Sequence, residues 1–204
     1  MNDAMKDYNG VHIEGHIKIH DPDSGEVLIN KRNAIHYENM SISLAESIGN
    51  SSSGFIYQMA FGNGGTSVDP TGIITYLTPN STGTNASLYN QTYSKIVDDN
   101  SVENVDPFRN KIETRHVSGT NYTDVFVSCL LDYSEPEGQD AFDNSQTTDG
   151  IFIFDELGLV SYDPNGEGRL LTHVSFHPVQ KSLNRLIQID YTVRIQSLTG
   201  FNEE

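Results

Sequence analysis

Val11–His20 (VHIEGHIKIH) alternates along its length. Val11, Ile13, Ile17 and Ile19 fall on one side, and His12, Glu14, His16, Lys18 and His20 on the other. A period of two predicts a half-buried strand. Asp21-Pro22-Asp23-Ser24-Gly25 is turn sequence, and Glu26–Asn30 predicts the returning strand of a hairpin. The period then lengthens. Ile35, Met40, Leu44, Ala45 and Ile48 recur at helical spacing, which predicts one main helix over residues 34–48, with Asn33 as its N-cap and Gly49-Asn50 as its stop.

Strand character returns at Phe55–Phe61 (FIYQMAF), is broken at Gly62-Asn63-Gly64-Gly65-Thr66, and resumes weakly at Ile73–Leu77. Residues 78–106 are rich in Asn, Ser, Thr, Asp and Gly and have no sustained period. A stretch of that length is uncommon inside a compact domain, and it reads as an extended arm or insertion. Lys111–Val117 and Tyr122–Tyr133 predict a further hairpin around Ser118–Asn121. An acidic loop spans Ser134–Gly150. Three apolar runs then close the chain: Ile151–Phe154, Leu170–Phe176 and Leu186–Ile195, separated by turn-forming clusters such as Asp163-Pro164-Asn165-Gly166. They read as neighbouring antiparallel strands. The expected fold is a single mainly β domain over residues 1–204, an antiparallel β-sandwich or distorted barrel with one main helix and long loops.

At 204 residues the chain is long enough to bury roughly 70% of its unfolded surface, and it needs no disulfides. Its single cysteine, Cys129, lies in DVFVSCLL, where alternation groups it with Val125, Val127 and Leu131; it reads as a small buried apolar residue. The N-terminal MNDAMKDYNG has no apolar core of a secretory signal, and no run approaches the roughly 20 apolar residues of a membrane span. Synthesis and retention in the cytosol, unless the chain is carried elsewhere in a particle, is the expectation, with no membrane partner. The net charge is −16, and residues 98–156 hold fourteen acidic side chains against Arg109, Lys111 and Arg115. A nucleic-acid interface needs Lys and Arg against phosphates, so nucleic acid is not an expected partner.

Candidate chemistry is sparse. His12, His16 and His20 share a strand face, but alternate same-side residues stand about 6.6 Å apart, too far for three imidazoles to converge on one ion at about 2 Å. His173 and His177 have a helical metal spacing in strand-like sequence, without the glutamate of a zinc protease motif. The acidic turns at Asp21–Glu26 and Asp163–Glu167 lack the ligand pattern of a calcium loop. Gly62–Thr66 lacks the lysine of a phosphate loop and reads as a turn with positive dihedrals. Asp155-Glu156 reads as a charged pair at a strand rim. No enzyme, cofactor or metal site is expected.

Asp23–Ser41 (DSGEVLINKRNAIHYENMS), Met59–Leu77 (MAFGNGGTSVDPTGIITYL), and FDELGL at 154–159 with LLTHVSFHPVQKSLNRLIQIDYTVR at 170–194 carry a further signal. In these stretches the chain resembles a family of virion structural proteins of contractile-tailed bacteriophages. The resemblance covers most of the chain and is weakest over residues 78–106. It implies a non-enzymatic structural subunit located in the virion, at the neck, collar, tail or baseplate, with other virion proteins and copies of itself as partners. Phe154, Asp155, Glu156, His173, His177 and Arg185 are the candidates for a subunit contact. The alternative is a capsid decoration or a receptor- or glycan-binding virion protein. Ten tyrosines favour it and the absence of tryptophan, a common sugar platform, weighs against it.

Overall fold

A computed structural model describes residues 8–136 and 151–200. The chain runs β1 (Tyr8–His20), β2 (Val27–Ile35), α1 (Tyr37–Ile48), β3 (Ile56–Gly62), β4 (Thr66–Val68), β5 (Ile74–Tyr76), β6 (Gln91–Ile96), β7 (Lys111–His116), β8 (Tyr122–Leu131), β9 (Ile151–Ser161), β10 (Thr172–Ser182) and β11 (Ile187–Gly200). The described residues are mainly β with one helix, as the sequence predicts, and the sheet takes the form of a half-barrel. Nine strands form one curled antiparallel sheet in the order β6-β3-β9-β10-β2-β1-β11-β8-β7, and β4 and β5 pair separately as a small hairpin. Of the acidic loop expected over Ser134–Gly150, residues 137–150 lie outside the described residues. Among the described residues no helix is long and apolar enough to cross a membrane.

The curl has local causes. Register shifts interrupt the ladders at Ile19/His20, between Ser175 and Val179, and twice along β3. A bulge bends its strand and increases the local right-handed twist. The concave face carries the core: Ile17 and Ile19 from β1, Val127, Cys129 and Leu131 from β8, and Ile187, Ile189 and Tyr191 from β11. Phe61, Phe154 and Phe176 pack edge to face within it, with ring centroids 5.4 and 5.8 Å apart. Alternation in β1 is as read, except that Val11, near the strand's outer end, is exposed.

The convex face of the same strands is charged. Cross-strand register sets Arg115 opposite Asp124, Asp124 opposite Arg194 and Arg194 opposite Glu14, so charge alternates across four neighbouring strands. Arg194 holds Asp124 with both ends of its guanidinium, at 2.7 and 2.9 Å. Opposite charges on facing residues stabilise a sheet, whereas like charges there would strain it.

Four expectations need correction. The helix begins at Tyr37, not Ala34, because Ala34 and Ile35 extend β2 and pair with His173 and Thr172 of β10. Asn33 is therefore a strand residue, its amide donating to the Tyr191 hydroxyl. The cap is His36, whose Nδ1 accepts the Asn39 N–H at 3.2 Å. Ala45 and Ile48 face solvent, while Asn39 and Ser43 take buried positions beside Met40; Asn39 can do so because its amide donates to the Leu170 carbonyl. The last three apolar runs are not consecutive neighbours. β9 and β10 pair, but β11 pairs with β1 and β8, since the β1–β2 hairpin lies between β10 and β11.

Candidate functional site

The site grows from a strand that mixes apolar and acidic residues. β9 reads IFIFDELGLVS, and Asp155-Glu156 stand opposite the bulge of β10. Phe154 points into the core, and Glu156, facing the other way, is fully buried. What buries it is the chain between β3 and β6, which crosses the outer face of β9 and β10. Ala86 and Leu88 there pack on Ala60, Val160 and Leu170 as a second, smaller core.

Polar contacts converge on Glu156. Its Oε1 accepts the N–H of Asn90 at 2.8 Å and of Gly64 at 3.1 Å. Its Oε2 accepts the N–H of Tyr89 at 3.0 Å and contacts His173 Nε2 at 2.9 Å. The other imidazole nitrogen settles the tautomer. Asn80 donates its backbone N–H to His173 Nδ1 at 2.8 Å, so the ring proton is on Nε2 and is donated to Glu156. Beside them, Asp155 Oδ1 accepts the Gly65 N–H at 2.8 Å, and its Oδ2 accepts the Thr66 hydroxyl. Two carboxylates hold residues 64–66, 89 and 90 against the sheet, and His173 holds Asn80.

The two acids respond differently to burial. Burial pushes Asp155 up, and the bonds from Thr66 and Gly65 only partly oppose it. Burial also works to raise Glu156, but the bonds from His173, Asn90 and Tyr89 outweigh it and leave its carboxyl below the usual value. An ionised carboxylate offers about four lone-pair directions. At Glu156 all four are taken by donors of the chain itself. The group is built to hold a loop, with no acceptor site left for an incoming proton donor.

This geometry corrects two readings. Asp155-Glu156 is not a rim pair, because the insertion covers it. The glycines of Gly62–Thr66 are not there for positive dihedrals, since none of them adopts one. They answer close approach. A Cβ on Gly64 would stand 2.7 Å from the Tyr89 Cβ, and one on Gly65 would stand 2.7 Å from the Asp155 carbonyl oxygen and 2.8 Å from the Glu156 Cβ. The loop does present N–H groups to anions, as a phosphate loop does, but the anions are Asp155 and Glu156.

Of the six candidate contact residues, the fold brings Asp155, Glu156 and His173 together and buries them. Phe154 joins the core on the opposite face. His177 is exposed in the β10 bulge, near Lys31 and Tyr76. Arg185 lies at the β10–β11 turn, paired with Asp21 at 2.9 Å and Glu26 at 3.4 Å. Sequence reasoning missed Asn80, Tyr89 and Asn90, which act through backbone N–H groups and leave no side-chain signature. Among the described residues no group of three or more His, Cys, Asp or Glu is arranged to hold a metal.

A second buried polar cluster was also missed. Lys181 is fully buried in β10 and donates to the carbonyls of Asp132, Glu135 and Ser182 at 2.8–2.9 Å. Burial lowers its ammonium to about 8, against the opposing pull of Glu135 and Asp132. Lys95 pairs with Glu135 and donates to the Leu130 carbonyl. The two lysines fix the turn that leaves β8.

No family model matches the chain, and no curated protein or solved structure matches it either.

Proposed function

We propose that the chain is a non-enzymatic structural subunit of a tailed-phage particle, at the neck, collar, tail or baseplate, that assembles through protein–protein contacts. The observation that carries this reading is a contrast within one sheet. Its polar chemistry is closed on itself at Glu156, whereas its association surfaces are open. Among the described residues β6 and β7 are both edge strands with one neighbour each. Edge strands expose unpaired N–H and C=O groups and are natural templates for another chain. Val102, Val105 and Phe108, in the loop between β6 and β7, are almost wholly exposed. The β4–β5 hairpin adds exposed Val68 and Tyr76, with Ile73 beside them. The resemblance of Asp23–Ser41, Met59–Leu77 and residues 154–194 to phage virion proteins gives those surfaces their setting.

The test is quantitative mass spectrometry of purified particles from cells that express the chain in a phage infection. The chain is expected in the particle at several copies per virion. Its absence from washed particles that retain their tails would end the proposal.

A further inference from the structure

Among the described residues the half-barrel has two open edges, β6 and β7. β7 ends one side of the sheet, and a groove of about 600 Å³ lies against the inner face of β7, β8 and β11. Ile112, Val125, Val193 and Ile195 form its sheet wall; Met40 and Leu44 of α1, with Phe55, form the wall opposite. Inward-facing Ile112 and Thr114 of β7 look into this groove, and among the described residues the backbone beside them has no strand partner other than β8. In an antiparallel pair alternate residues direct N–H and C=O away from the partner strand. The free side of β7 therefore combines an unpaired hydrogen-bonding edge with an apolar trough running beneath it.

We propose that this edge and groove form a docking site for an extended strand donated by a different protein. The strand adds to β7 and sets every second, apolar side chain into the groove. β7 has six residues, so about six residues of the partner are paired, at about 3.4 Å each. Charge identifies the partner further. No lysine or arginine lines the groove, while Asp98 and Asp99 stand on its rim with no cation beside them among the described residues. The donated strand carries a lysine or arginine at the end that reaches this rim.

A second copy fits badly. Antiparallel overlap of β7 with itself centred on Glu113 sets Lys111 against Arg115 and Glu113 against Glu113, which like charges disfavour. Overlap centred on Thr114 instead sets Glu113 against Arg115, so net charge rather than register decides against it. Each copy also brings a net charge of −16. The partner therefore comes from outside the chain. This identification deepens the structural-subunit reading and rests on it for the source of the strand; the groove's capacity for a strand does not.

The probe is a synthetic nonapeptide of alternating threonine and valine with a lysine at each end, titrated into the full chain by calorimetry and followed by amide exchange. Binding is expected, with new protection at alternate amides of Ile112–His116. N-methylation of the peptide at alternate positions should abolish it on one register only. Thr114 is exposed, so Thr114→Arg leaves the fold intact and should weaken binding about tenfold or more by blocking the trough. Asp99→Lys should weaken it about threefold, the scale of an exposed ion pair. Lack of binding at millimolar peptide, protection elsewhere than β7, or indifference to Thr114→Arg would overturn the proposal. So would a homodimer of the free chain that Thr114→Arg dissolves. A chain that binds the peptide yet is missing from virions would refute the virion reading alone.

Discussion

Glu156→Gln is the substitution whose consequence follows most directly from the geometry. It preserves shape and volume and replaces one acceptor oxygen by an NH2 donor. Placed toward the Oε2 position, that NH2 confronts two donors, the Tyr89 N–H and the His173 Nε2–H. Moving the histidine proton to Nδ1 relieves one conflict and creates another, because Asn80 already donates there. Turning the amide over instead sets the NH2 against Gly64 and Asn90. Every arrangement leaves at least two buried donors without an acceptor.

Each such donor costs ~1–3 kcal/mol, so the expected loss is about 4 kcal/mol. With a urea slope of about 2 kcal/mol/M, the unfolding midpoint falls by about 2 M, and exchange of the Gly64, Asn80, Tyr89 and Asn90 amides accelerates ahead of the core strands. Asp155→Asn is the internal control. The new NH2 meets the Thr66 hydroxyl, which can rotate to accept, so the expected loss is below about 1 kcal/mol. A loss below about 1 kcal/mol for Glu156→Gln, or equal losses for both variants, would refute the assignment of Glu156 as the charged anchor of the insertion.

Three further outcomes are expected. Because Glu156 is held below its ordinary value, its contribution is complete above the unfolded value near 4.5 and is lost as pH falls through the folded value; denaturation at stepped pH should show the gap between wild type and Glu156→Gln closing below that point. Cys129 is fully buried and its thiol is pushed up to about 12, so a thiol reagent at neutral pH should label it only at the rate of unfolding, and fast labelling of the native chain would contradict its place in the core. A double-mutant cycle on Arg194→Ala and Asp124→Ala should give a coupling of about 0.5–1 kcal/mol that shrinks in molar salt; a coupling unchanged by salt would argue against a surface ion pair.

What the sequence disclosed was what local periodicity encodes. The alternation of β1 and the existence of one helix were legible, as was the turn at Asp163–Gly166, but of the stripe read for the helix only Met40 and Leu44 pack on the core from within it. β6 was not, because Gln91–Ile96 (QTYSKI) is a polar edge strand whose Lys95 turns inward to reach Glu135. The helix start was misplaced because Ala34 and Ile35 fit a helical period as well as a strand, and only pairing with β10 decides between them. The anchoring role of Glu156 was out of reach for a different reason. Its partners lie 66, 67 and 92 residues away and act through main-chain N–H groups, which every non-proline residue possesses. The one local trace was an acidic pair inside an otherwise apolar strand, with a histidine in a second such strand.

The buried anchor and the open groove are mechanically connected through the helix. Glu156 and His173 fix residues 80–90, and Gly83, within that insertion, accepts a hydrogen bond from His36 Nε2 at 2.9 Å. His36 is the N-cap of α1, and its own backbone N–H is held by the Leu171 carbonyl at 2.9 Å. Two residues into α1, Asn39 binds the Leu170 carbonyl. The first turn of the helix is thus tied to the clasped insertion on one side and to the chain entering β10 on the other. Met40 and Leu44, on the same helix, are the groove's far wall. A buried carboxylate on the convex side therefore helps to set the position of an apolar wall on the concave side. Costly burial of an ionised group is reasonable where its rigidity defines a binding surface: a donated strand gains most from an edge and a wall that need no ordering when it arrives.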